Sequence, residues 1–224
     1  MAISDPVGSH EARLHAREPE GLVKSRKRVA DHGEVFTPSW MVEDMLDLVK
    51  FETDRIDSRF LEPACGSGNF LKSVLNRKLD TVQYKFGKSE YERNHQAIFA
   101  LMCIYGIELL LDNIEECRTN LLKIFNANLK ISENDRLSRA AASVLKANIL
   151  QGDALTLTRS DGKHIEFPEW GYLGNGKYQR RDFRFDSLTQ RGSIEGTLFE
   201  LFEEHDLFIP TMTYKTMTIE ELAV

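Results

Sequence analysis

Residues Phe60 to Leu71 read FLEPACGSGNFL, and few architectures accommodate that order. An apolar pair runs into an acid and a proline, two glycines follow, and a helix-like segment leaves the turn. Gly66 and Gly68 carry no side chain, so backbone N–H groups there can approach a ligand. A helix N-terminus just beyond them adds positive partial charge.

The flanking sequence repeats the same strand-to-helix handover. SRFLEP predicts a short buried strand and NFLKSVLNRKL a helix. The long apolar run from His95 to Phe125 splits into a helix to about Cys103, a strand over Ile104–Leu109 and a helix from about Asp112, because the glycine and acid of YGIEL break it. ENDRLSRAAASVLKA predicts a helix and NILQGDAL a strand ending in an acid. Upstream, Thr37 caps a helix with Pro38 at its first position, and Met41, Met45, Leu48 and Val49 form one apolar face. Alternating strands and helices predict an α/β domain with a mostly parallel sheet. The expected organisation is a mobile arm over 1–30, the domain over 31–190 and an acidic tail over 191–224, which holds seven acids and one lysine from Gly192 onward.

Composition narrows the setting. No apolar run reaches the roughly 20 residues of a membrane span, and the N-terminus lacks the apolar segment of a secretory signal. Cys65, Cys103 and Cys117 are odd in number and show no CxxC spacing, which reads as reduced thiols in a cytoplasmic protein with no metal site. The net charge of -6 opposes nucleic acid in bulk. The locally basic KSRKR and GKYQRRDFRF, each taken alone, are solvated faces.

Three predicted strand ends carry acids: Glu62, Glu108 and Asp153. Ligands of open α/β sheets sit beyond the carboxyl ends of the strands, where strand order reverses. A dinucleotide site would want a third glycine where Leu71 stands, and a P-loop would want Gly-Lys-Ser/Thr. Both are absent, so the expected ligand is a nucleoside without a pyrophosphate. Singly, each feature is ordinary: a glycine turn, a solvated acid, a helix start.

Together, from about Gly33 to Leu155, EVFTP, LEPACGSGNF, GIEL and GDAL resemble, in order, the motifs of S-adenosylmethionine-dependent DNA adenine-N6 methyltransferases of restriction-modification systems. The resemblance implies a Rossmann-like methyltransferase domain and a role for each matched position. Thr37 and Pro38 would close over the methionine end of the cofactor. Glu62, Ala64, Gly66 and Gly68 would form its floor, the acid facing the ammonium and sulfonium. Glu108 would take the ribose hydroxyls and Asp153 the adenine amino group.

One part of that family's equipment is missing. Its members hold the target amino group with Asn/Asp-Pro-Pro-Tyr/Phe, but none of the six prolines here adjoins another or follows Asn. FRFDSLTQRG opens at Phe185-Asp186 as the corresponding strand should and then departs. The residues after Asp153 are also short for the family's last strands and include no recognisable target-recognition domain. The catalytic residue is therefore unknown. Three functions remain: DNA adenine-N6 methylation in restriction-modification or phage defence; a silent S-adenosylmethionine-binding subunit completed by a partner chain; or, from the cofactor motifs alone, RNA or protein methylation. The aromatic and basic run from Phe167 to Phe185 is either a DNA contact or a hairpin with an exposed basic face.

Overall fold

The structure is a computed structural model that describes residues 24–32, 34–186 and 209–224. The first 23 residues of the expected arm, and 191–208 of the expected tail, lie outside them. The chain divides into two compact units, Met1–Pro38 and Ser39–Val224. In the first unit the Arg28 guanidinium of α1 (Arg26–His32) pairs with Glu34.

The second unit opens with α2 (Ser39–Leu48) and α3 (Lys50–Thr53). Val42 and Leu46, one turn apart, bury against the core. Arg77 draws Glu43 and Asp47 of α2 toward α4 (Asn69–Phe86) at 2.6 and 2.7 Å. The helix starts at Ser39, two residues past the predicted cap, a common spread at helix ends.

β1 (Phe60–Glu62), β2 (Ile104–Glu108) and β3 (Ile149–Gln151) form a parallel sheet in that order. Phe60 pairs with Ile104, and Gly106 with Ile149. Two helices fill each crossover: α4 and α5 (Glu90–Met102), then α6 (Leu111–Leu129) and α7 (Arg136–Asn148). Ser89 caps α5 by accepting the Glu92 N–H, and Lys130 ends α6 in the left-handed conformation at φ 56°. The described strands show no reversal of order, because both crossovers step the same way. The predicted position of a ligand at a reversal therefore lacks its second half among the described residues.

Leu71, Val74, Leu75 and Leu79 of α4 join Ile98, Ile107, Ile114, Leu121 and Val144 in the core, all fully buried. Each such side chain contributes about 1.5–3 kcal/mol. Lys78 is also fully buried and donates to the carbonyls of Arg55, Ile56 and Ser58 at 2.8, 3.0 and 2.7 Å. It stitches the loop before β1 to α4.

A second, antiparallel sheet holds β4 (Glu166–Gly174), β5 (Lys177–Arg184) and β6 (Met212–Thr213). Asn175 and Gly176, both at positive φ, make the Asn-Gly hairpin turn. Buried polar bonds dock it: Tyr105 donates to the Pro168 carbonyl and Trp170 to Asn148 Oδ1, both at 2.9 Å. Asn148 in turn donates to the Met102 and Ile104 carbonyls. A short α8 (Ile219–Leu222), closed by a Thr218–Glu221 capping box, packs on α7.

Candidate functional site

Parallel pairing places the ends of β1, β2 and β3 side by side, and the acids read from the sequence gather there. Glu108 closes β2. Its Oε2 accepts the Gly66 N–H at 2.9 Å and its Oε1 the Leu110 N–H at 3.0 Å. The carboxylate is thus aimed by the turn on one side and the start of α6 on the other. Each oxygen keeps a further lone pair for a ligand hydroxyl.

The turn itself is tightly determined. The Gly68 N–H donates to the Cys65 carbonyl at 2.8 Å, and the Cys65 N–H to Ile107 at 3.0 Å. Gly66 and Gly68 both hold positive φ, 50° and 89°. A Cβ on Gly68 would stand 2.7 Å from Cys117 Sγ, so glycine is required there by conformation and by space. Gly68 begins α4 without a side-chain cap. The N–H groups of Ser67, Asn69 and Phe70 consequently have no acceptor among the described residues, and they form a patch of free donors at a helix N-terminus.

Glu62, at the end of β1, is half-buried and its carboxylate accepts no hydrogen bond from the described residues; burial alone raises its pKa. A partly desolvated, unpaired carboxylate favours a cationic ligand group. Ala64 is exposed between it and the glycines. Asp153 lies two residues beyond β3 rather than at its end, because Gly152, whose N–H reaches the Glu108 carbonyl at 3.0 Å, turns the chain first. Asp153 Oδ1 accepts the Leu155 N–H at 2.8 Å, while Oδ2 accepts nothing from the described residues. Leu109, Leu111 and Leu155 are exposed near these strand ends and offer apolar surface. Thr37 and Pro38 belong to the first unit.

Cys65 in the turn, Cys117 behind it and Cys103 just before β2 are buried free thiols. The Cys117 hydrogen bond and burial push the Cys65 thiol up, and burial pushes Cys103 up to about 11. They are thiols with packing roles. Among the described residues no group of three His, Cys, Asp or Glu side chains could hold a metal ion, and no helix is long and apolar enough to cross a membrane.

The run from Phe167 to Phe185 forms the β4–β5 hairpin, and its arginines are engaged within the chain. Arg180 pairs with Asp182 at 2.7 Å and lies over the Trp170 and Tyr214 rings. Arg181 pairs with Glu169, and Arg184 with Asp186, both at 2.5 Å. Of the two readings of this run, the hairpin is observed, and the pairing of its arginines within the chain favours it over a DNA contact.

Sequence reasoning missed Asn120, whose Nδ2 donates to the Ser67 carbonyl at 3.1 Å from the middle of α6. The one available signal was its spacing of three from Cys117, which puts both on the helix face behind the turn.

Residues 22–152 match the model of the N-6 DNA methylase family. A curated relative, the Type II methyltransferase M.BstVI of Geobacillus stearothermophilus, is 25% identical over 193 residues, covering 85% of this chain and 32% of that protein. The chain therefore spans about a third of the length of the relative it matches. No solved structure matches. The family match covers more than half of the 224 residues, and its range contains the glycine turn, Glu62 and Glu108: the chain belongs to the N-6 DNA methylase family.

Proposed function

We propose that this chain is the S-adenosylmethionine-binding part of a DNA adenine-N6 methyltransferase acting in restriction-modification or phage defence, in the cytoplasm. The observation that carries this reading is the joint geometry of the turn and Glu108: free N–H donors at a helix start, locked to an acid at the next strand end. The three parallel strands then represent one half of a Rossmann-like sheet.

Bound S-adenosylmethionine supplies an electrophilic methyl group on a sulfonium. Around it, Glu62 would face the cationic end, and Ala64, Gly66 and Gly68 would line the floor, with the free N–H groups of Ser67, Asn69 and Phe70 as donors for the carboxylate. Glu108 would grip the ribose hydroxyls, and Asp153 Oδ2 would accept from the adenine amino group. Charge-assisted bonds of this kind are worth about 1.5–3 kcal/mol each.

The family's segment for the acceptor side does not occur in these 224 residues. An adenine amino group is a poor nucleophile whose base must leave the duplex stack to react, and the Asn/Asp-Pro-Pro-aromatic segment that would hold it is absent. That absence favours a chain that is silent alone and works with a partner carrying this segment and the target-recognition domain. Positioning accounts for about 7–11 kcal/mol of such barriers, so cofactor binding without it leaves transfer nearly undetectable. The test is tritiated methyl transfer to mixed-sequence duplex DNA by the purified chain, with and without the product of a neighbouring reading frame that encodes the missing segment. Transfer only in the mixture is expected; rapid transfer by the chain alone would place the acceptor group within it.

A further inference from the structure

The Ser67–Gly68 peptide is held at both of its polar ends. Its N–H donates to the Cys65 carbonyl at 2.8 Å, and its C=O accepts from Asn120 Nδ2 at 3.1 Å. Asn120 is half-buried, and Cys117 on the same face of α6 blocks the space behind Gly68. Two residues before Asn120, the Arg118 Nε donates to the Ile149 carbonyl at 3.1 Å, at the start of β3. One helix thus sets the turn in register with β3.

This matters because a peptide preceding glycine turns over easily: glycine accepts either sign of φ. Turned over, the Ser67 carbonyl would oppose the Cys65 carbonyl, and the Gly68 N–H bond that closes the turn and fixes the neighbouring donors would be lost. The Asn120 amide holds that carbonyl toward α6. A hydrophobic side chain at this helix position would pack but could not hold it.

We propose that Asn120 is a positioning residue for the methionine end of the cofactor, acting through the Ser67 carbonyl without touching the ligand. The proposal rests on the cofactor reading above. It assigns Asn120 to one end of the ligand, since the nucleoside end is held by Glu108 and Asp153.

The experiment is calorimetry of the whole chain, wild type and Asn120→Ala and Asn120→Asp, with S-adenosylmethionine and with adenosine, alongside melting temperatures. Asn120→Asp keeps the volume and sets a carboxylate against the carbonyl, so a fold lost on truncation leaves that comparison intact. Both variants are expected to weaken S-adenosylmethionine roughly tenfold, the scale of one lost hydrogen bond, and to leave adenosine unchanged. Equal loss for both ligands, or no loss for either, overturns the positioning role while leaving the cofactor reading in place. A wild-type chain that binds neither ligand overturns the cofactor reading and this proposal with it.

Discussion

The Gly66 N–H and the Glu108 carboxylate, 42 residues apart in sequence, meet at 2.9 Å across the ends of two adjacent parallel strands. The bond makes the glycine turn and the acid one unit. Because Leu110 holds the other carboxylate oxygen, the acid cannot rotate without releasing either the turn or the start of α6. A ligand that uses both the turn's donors and the acid therefore meets a surface already arranged for it, which lowers the ordering cost of binding.

Gly68→Ala should damage the turn in two separable ways. The φ of 89° strains any side chain, and the added Cβ meets Cys117 Sγ at 2.7 Å. A destabilisation of about 1–3 kcal/mol is expected from the strained backbone together with the overpacking. Adding Cys117→Ala should recover the steric share and not the conformational one. Urea denaturation of the single and double variants measures both; full recovery would show that conformation contributes nothing.

Much of this site is legible in the sequence because strand-end acids and turn glycines sit at fixed offsets from an apolar run. Glu62 and Glu108 fall at the strand ends where their context places them. Asp153 does not, since β3 stops at Gln151 and a bend at Gly152 intervenes, where a Cβ would meet Ile165 at 2.8 Å. Asn120 carries no local signature: a mid-helix asparagine reads as a solvated polar residue until the turn it holds is known. Lys78 is hidden likewise within NRKLD, where only three tertiary carbonyls distinguish it from its charged neighbours. For the arginines of β5, alternation with acids predicts a shared face but not whether that face meets phosphate or its own carboxylates.

Those arginines yield a second prediction. Arg180→Ala strands Asp182, which is only 7% exposed and would retain only the Tyr214 hydroxyl among its side-chain partners. A destabilisation of about 3 kcal/mol is expected, as for breaking a mostly buried pair. The salt dependence of DNA binding, measured with any partner present, should stay unchanged. If Arg180 instead neutralised a phosphate, the substitution would flatten the slope of log affinity against log salt by about 0.9, and such a change would return the hairpin to the DNA interface.

Lys78 makes stability depend on pH. Burial lowers its pKa to about 8, whereas an unfolded lysine titrates near about 10.4. Between these values the unfolded chain binds more protons than the folded one, so Lys78's contribution to stability rises with pH across that window. Below pH 8 the buried charge is retained and that contribution is lost. Denaturation of wild type and Lys78→Met from pH 7 to 10.5 should show the wild type gaining on the variant as pH increases. Parallel curves would mean that the folded lysine titrates like a free one.

The binding unit formed by the turn and Glu108 is tested most directly by calorimetric titration of S-adenosylmethionine into the wild-type chain and into Glu108→Ala. One site is expected in the wild type. The variant should bind about ten- to a hundredfold more weakly, equivalent to about 1.5–3 kcal/mol for the lost charge-assisted bonds. A wild-type chain that takes up no S-adenosylmethionine, or a variant that binds it as tightly as the wild type, would contradict the assignment of this site.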